Sequence, residues 1–269
     1  MSVTKAVVMA RGLGSRMRRE GAGELTPEQR AAAASGAKAM MPLGGRPFLD
    51  HVLTALADAG LTDICLVIGP EHDAVRRYYD GLSLTRVRIS YAVQTEPRGT
   101  ADAVSAAVEF AGQDRFVVVN GDNLYPAASL RRLTAEPGLA TVGFTPGGLV
   151  AGSNIPADRI AAFALLKLDA AGEVSDVIEK PTPQTIAAFG ADRLVSMNCW
   201  LLGPRVFEAC AAIPLSPRGE LELVDAVRWL IAAGERVTVV PSADGVWDLS
   251  SRGDVADVAR ALAEQPVNL

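Results

Sequence analysis

The stretch "ARGLGSRM", Ala10 to Met17, follows directly on the β-branched run "TKAVVM". A glycine-bent loop after a strand can turn several backbone N–H groups toward one point, and such groups line phosphate oxygens well. Arg16 at the loop tip, beside Ser15, can clamp two of those oxygens in a bidentate fork. Gly12-x-Gly14 begins the dinucleotide-binding pattern, but the third glycine would fall at Met17. No Gly-Lys-Ser/Thr follows either, so neither a dinucleotide turn nor a Walker loop is written here.

Further polar groups sit at the ends of apolar runs. Gln94 ends a strand-like run. Its side chain offers one acceptor and two donors, enough to match the edge of a base. Gly99 and Thr100 then open a helix, whose first N–H groups are free donors. Asp122 lies just past the buried run "RFVVVNGD", where ligands bind in open α/β sheets. A carboxylate there is a natural Mg²⁺ ligand. Glu179 and Lys180 end another run, and Asp248 follows the short run "GVWDL". Lys38, taken alone, is an ordinary surface lysine. Asp102, at a helix start, suits the helix dipole as a capping group.

These positions need a scaffold, and the first half of the chain supplies its rhythm. "TKAVVM", "DICLVIG", "RVRISYAV" and "RFVVVNGD" read as strands. "RPFLDHVLTALADAG", "EHDAVRRYYD" and "GTADAVSAAVEFA" read as helices, the first ending at Gly60. The alternation predicts a mostly parallel sheet covered on both faces. In the second half, "IAAFALLKLDAAGEVSDVIEK" predicts a hairpin about the turn Asp169 to Gly172, which makes the sheet mixed. Thr26, Pro27 and Gln29 predict a capped short helix ending near Gly36. The glycine-rich segment Pro146 to Ile155 reads as a loop, either a gate over the site or plain surface. One domain over 1–269 is expected, with a nucleotide half at 1–125, a second half at 126–250 and a closing helix at 251–269.

Composition narrows the partners. The 269 residues are 49% hydrophobic and carry a net charge of −5. No Lys/Arg block stands out, so nucleic acid is not an expected partner. No apolar run reaches the length of a membrane span. Three cysteines without metal spacing and no secretory leader pattern fit a cytoplasmic protein. A homo-oligomer is left open.

Taken in order, the motifs resemble a known family. Gly-x-Gly-Ser-Arg-Met, Lys38-x3-Pro42, Gln94-x4-Gly99-Thr100-Ala101, Gly121-Asp122, Glu179-Lys180-Pro181, Arg218 to Glu222 and Trp247-Asp248 resemble those of the sugar-1-phosphate nucleotidylyltransferases. The thymidylyl- and uridylyltransferases are the nearest branch. The resemblance covers essentially the whole chain. It implies a three-layer α/β/α, Rossmann-like nucleotidyltransferase fold with a mixed, mostly parallel central sheet. It also implies transfer of a nucleotidyl group from a nucleoside triphosphate to a sugar 1-phosphate or a sugar-like cyclitol phosphate, with Mg²⁺ as cofactor.

By this resemblance Ala10, Arg11, Gly12, Gly14 and Ser15 wrap the nucleotide, and Arg16 holds the leaving phosphates. Lys38 sits at the α-phosphate and Lys180 at the sugar phosphate. Gln94 reads the base above Gly99 and Thr100. Glu179 and Asn198 face the sugar, and Asp122 and Asp248 hold Mg²⁺. UTP or dTTP is favoured by Gln94. Arg11 stands where relatives keep a small residue, which leaves GTP and ATP open. Asn198 stands where relatives often keep glycine, and the segment between Arg18 and Lys38 is longer than usual. A non-catalytic NDP-sugar-binding protein is the alternative on the same fold. The missing third glycine argues against a nicotinamide dehydrogenase.

Overall fold

The computed structural model describes residues 2–12, 17, 24–35 and 38–269. Their strands are β1 (Lys5–Met9), β2 (Pro42–Leu43), β3 (Arg46–Pro47), β4 (Asp63–Ile68), β5 (Arg88–Val93), β6 (Phe116–Asn120), β7 (Asn123–Leu124), β8 (Leu139–Phe144), β9 (Leu165–Leu168), β10 (Val174–Ile178), β11 (Leu194–Leu202), β12 (Val237–Ser242) and β13 (Trp247–Asp248). Nine of them form one mixed sheet. Its main path runs β10-β9-β11-β6-β1-β4-β5, with β8 beside β11 and β12 beside β8. The neighbours β6, β1, β4 and β5 are parallel, as is the pair β8 and β12. The long strand β11 runs antiparallel to β6, β8 and β9.

The parallel strands are apolar along their whole length because both faces are covered. Alternate side chains serve two separate cores. Ala6, Val8, Ile64, Leu66, Val117 and Val119 point to one core, shared with helix Phe48–Asp58. Val7, Cys65, Val67 and Val118 point to the other, shared with helices Thr100–Ser105, Arg205–Ala212 and Leu223–Ala232. This is the expected three-layer arrangement. Cys65, Cys199 and Cys210 are buried free thiols. Burial pushes the Cys65 and Cys210 thiols up to about 11, so they stay protonated packing groups.

Local signals resolve as follows. Helix Pro27–Ser35 carries the full reciprocal cap: Gln29 N–H donates to Thr26 Oγ1 (3.2 Å), and Thr26 N–H to Gln29 Oε1 (3.0 Å). Strands β9 and β10 form the hairpin, closed by Gly172 N–H donating to Asp169 O at 3.1 Å.

The glycine-rich segment is a correction. Pro146–Gly152 is a helix whose cap, Thr145, accepts from Gly148 N–H at 3.2 Å. Its glycines allow close backbone packing. A Cβ on Gly148 would enter the backbone of Ala243, and one on Gly245 would enter that of Gly152. The segment is part of the packed frame, not a gate.

Candidate functional site

The site lies past the carboxyl ends of the parallel strands, where successive loops diverge and leave a crevice. A first cavity of about 340 Å³ is lined by Ala10, Arg11, Gly12, Lys38, Gln94, Gly99, Thr100, Asn120, Asp122 and Glu220, among others. Strand ends hold its floor: Ala10 N–H donates to Val67 O (2.9 Å), and Gly121 N–H to Met9 O (3.0 Å). A Cβ on Gly121 would press on the Met9 carbonyl and on Ala10, so glycine lets these two loops touch.

Gln94 is 5% exposed, and its amide nitrogen is fully committed. It donates to Gly99 O at 3.0 Å and to Asp102 Oδ2 at 2.8 Å. Asp102 thus orients Gln94, which corrects the capping role expected for it. Both partners are acceptors, so the amide cannot be turned the other way, and Oε1 has no partner among the described residues. Gly99 sits at φ +120° against the Leu221 backbone, where a Cβ would collide. Thr100 Oγ1 accepts from Leu223 N–H (2.8 Å), tying this end of the cavity to the segment that contributes Glu220.

A second cavity of about 260 Å³ adjoins the first. Lys38, Asn120 and Asp122 line both. Its further lining includes Asn123, Arg159, Phe163, Glu179, Asn198, Asp248 and Ser250. Lys38 Nζ forms a direct ion pair with Asp122. The stem of Lys38 passes over Gly12, where a Cβ would stand 3.3 Å from Cε.

Asp122 and Asp248 meet because of a two-rung ladder. Strands β7 and β13 pair antiparallel, Asn123 opposite Asp248. Leu249 N–H also donates to Asp122 O at 2.9 Å. Asn154 clamps the Asp248 backbone from outside, accepting from its N–H (2.9 Å) and donating to its carbonyl (2.7 Å). The Asp248 carboxylate accepts from Asn123 Nδ2 (3.0 Å), Ser250 Oγ (2.7 Å) and Arg159 Nη2 (2.8 Å). Burial, then the nearby Asp122 charge, still push its pKa up to about 6.

Asn198 stands at an irregularity in β11, between Ser196 and Trp200, with φ +56°. Asparagine tolerates that left-handed conformation better than most residues. Desolvation and then the Glu222 carboxylate raise the pKa of Glu179, while Arg218 works against both. Arg218 itself forks onto Glu222 at 3.0 and 2.6 Å.

The structure therefore gathers Ala10, Arg11, Gly12, Lys38, Gln94, Gly99, Thr100, Asp122, Glu179, Asn198 and Asp248 around two joined cavities. Lys180 is exposed, sits at φ +44° and lines neither. Gly14, Ser15 and Arg16 lie outside the described residues. Sequence reasoning missed Glu71, which accepts from Arg11 Nε (3.3 Å) and Nη2 (3.5 Å), and it missed Asn154 and Arg159. Glu71 was within reach of it, because it follows a strand that ends in glycine. Nothing in "AGSNIPADRI" marks Asn154 or Arg159, whose partners are 94 and 89 positions away.

A nucleotidyl transferase family model matches residues 5–263. The chain belongs to that family. This nucleotidyl transferase is 31% identical over 266 residues to a glucose-1-phosphate thymidylyltransferase of Streptomyces griseus, a match that spans 97% of this chain and 66% of that protein. A CMP-5'-(3-aminopropyl)phosphonate synthase of Streptomyces rubellomurinus is 36% identical over 157 residues, 57% of this chain and 23% of that one. A solved UDP-glucose pyrophosphorylase, complexed with UDP-glucose, superposes with a TM-score of 0.76 at 17% identity, covering 98% of this chain and 100% of that one. That likeness establishes the fold. Among the described residues no helix is long and apolar enough to cross a membrane.

Proposed function

We propose that this nucleotidyl transferase moves a nucleoside monophosphate from a nucleoside triphosphate to a sugar 1-phosphate, giving an NDP-sugar and pyrophosphate. The observation that carries the reading is the seam of Lys38, Asn120 and Asp122, which belongs to both cavities. A reaction that joins two ligands needs such a seam, with one ligand on each side and the reacting phosphorus between them.

In this reading the base and ribose occupy the cavity at Gln94, and the sugar occupies the one at Glu179 and Asn198. An oxygen of the sugar phosphate attacks the α-phosphorus. The bond from that phosphorus to its bridge oxygen breaks, and pyrophosphate leaves with the electron pair. Both reactants are polyanions, so charge repulsion is the main obstacle. Lys38 lies at the seam and offsets negative charge on the α-phosphate as the new bond forms. Lys180 would meet the sugar phosphate and Arg16 the departing phosphates. UTP or dTTP is the favoured donor.

Asp122 and Asp248 would hold Mg²⁺. No group of three or more metal-type side chains occurs among the described residues. Mg²⁺ needs no more than one or two carboxylates, completing its shell from water and substrate phosphate. Burial and then the Asp122 charge raise Asp248, and a divalent cation would offset both. When bound, the ion supplies charge neutralisation across the phosphates.

A grid of nucleoside triphosphates against sugar 1-phosphates, with Mg²⁺ present and pyrophosphate release as the signal, tests the proposal. Release is expected for at least one pair, highest with UTP or dTTP. Silence from every pair would overturn it.

A further inference from the structure

Asp122 and Asp248 each carry a cation of the chain's own. Asp122 is paired with Lys38, and Asp248 with Arg159, whose Nη2 donates to Asp248 Oδ2 at 2.8 Å. Lys38 and Arg159 are the two cations among the described residues that line the second cavity. The pairs are tied differently. A lysine ammonium is a point charge on a four-carbon stem, able to turn from a carboxylate to a phosphate. Arg159 is pinned on its far side as well, because Nη1 donates to Asp254 Oδ1 at 2.8 Å. Asp254 is buried and accepts in addition from Ser251 N–H (2.7 Å), Ser251 Oγ (2.9 Å) and Asn154 Nδ2 (3.1 Å). A planar guanidinium that spans two fixed carboxylates is held in one pose.

Arg159 gives Asp248 charge more than aim. Asn154 clamps the Asp248 backbone at its N–H and its carbonyl, and Asn123 and Ser250 hold the carboxylate. None of those bonds passes through Arg159. The positive charge has no such substitute on Asp248. A fixed cation at hydrogen-bond distance from a carboxylate repels any second cation that approaches the same group, and strongly so where water is scarce.

We propose that Arg159 is a resident counter-ion that keeps the affinity of the nucleotide-free chain for divalent cations low. The inference rests on the reading above, that Asp122 and Asp248 are the carboxylates that hold Mg²⁺. With Lys38 and Arg159 in place, two carboxylates face two cations, and a free divalent ion meets no net negative charge from these four groups. A nucleoside triphosphate brings negative charge of its own, so the chain takes the ion with its substrate and not before it. Arg159 touches no reacting atom. It is a positioning residue that acts through Asp248 and leaves Asp122 as the main anchor of the ion.

The test is a titration of the nucleotide-free chain with Mn²⁺ as the probe, read from the loss of the free-ion EPR signal. Arg159→Gln should tighten Mn²⁺ by at least about 10-fold, a modest share of what one charge exerts at this range. Arg159→Lys keeps the charge but not the fork, and should stay within about 3-fold of wild type. Adding Asp122→Asn to Arg159→Gln should abolish the gain. Arg159→Gln leaves Asp254 without its cation, so the pair Arg159→Gln and Asp254→Asn, which leaves no outer charge unmatched, is measured beside it and should move Mn²⁺ in the same direction. Unchanged or weaker Mn²⁺ binding in both, with Asp122→Asn alone still weakening the ion, would overturn the role of Arg159 and leave the Mg²⁺ reading standing. Equal tightening in Arg159→Lys would also overturn it, since a merely structural loss moves both variants alike. A gain that survives Asp122→Asn would place the ion elsewhere and overturn both.

Discussion

Lys38 and Asp122 form a direct ion pair at the seam of the two cavities. Each is the other's counter-ion. Lys38→Ala removes the cation at the seam, and Asp122→Asn removes its partner carboxylate, the proposed metal ligand. Each is expected to lower kcat by at least about 100-fold, since one lost electrostatic stabiliser is worth about 3 kcal/mol in a barrier. Near-normal turnover in either purified variant would remove that residue from the chemistry. Asp248 gives a prediction on pH. Its folded pKa of about 6 lies above its ordinary value of 3.8. Between those values the folded chain holds a proton that the unfolded chain has released, so stability falls as pH rises, and the penalty is complete above about pH 6. Two units correspond to about 3 kcal/mol. In chelator, the Tm of Asp248→Asn relative to wild type should therefore climb from pH 4 to pH 7 and then level off. A flat difference would mean that neither burial nor the Asp122 charge raises the Asp248 carboxyl. At this scale the sequence reveals residue types but not their orientation. Gln94 could be singled out as a polar group at a strand end, but which end of its amide is left free depends on Asp102.

The elements explain how Asp248 is braced. The sheet's parallel half was legible because strands buried on both faces must be continuously apolar, as in "RFVVVNGD". Helix Pro146–Gly152 was not legible, because its glycines answer to Ala243 and Gly245, about a hundred positions away, and not to local propensity. That helix leads into Asn154, which grips the Asp248 backbone at both its N–H and its carbonyl. Gly245→Ala would drive a methyl group into the Gly152 backbone. A loss of about 1–3 kcal/mol is expected, seen as a fall in Tm of roughly 2–10 °C. Activity should fall further than stability alone accounts for, because the shift passes through Asn154 to Asp248. A variant with wild-type Tm would show that the helix end can yield freely.

The whole molecule places its chemistry where two kinds of strand pairing meet. Parallel strands build the cavity that holds Gln94, and β11, antiparallel to its neighbours, places Asn198 in the adjoining one. The order of motifs made the family legible, but no spacing along the chain announces that β7 and β13 would lie side by side. Asn123 and Asp248 bond across 125 intervening steps of sequence. That short ladder has a consequence for how the protein comes into being. Contacts between distant parts of a chain form late, after the intervening loop has closed. A nascent chain on the ribosome therefore has no complete centre until β13 has emerged and found β7. On refolding from denaturant, recovery of activity should trail recovery of bulk helix signal, which makes turnover a clock for the last step of folding.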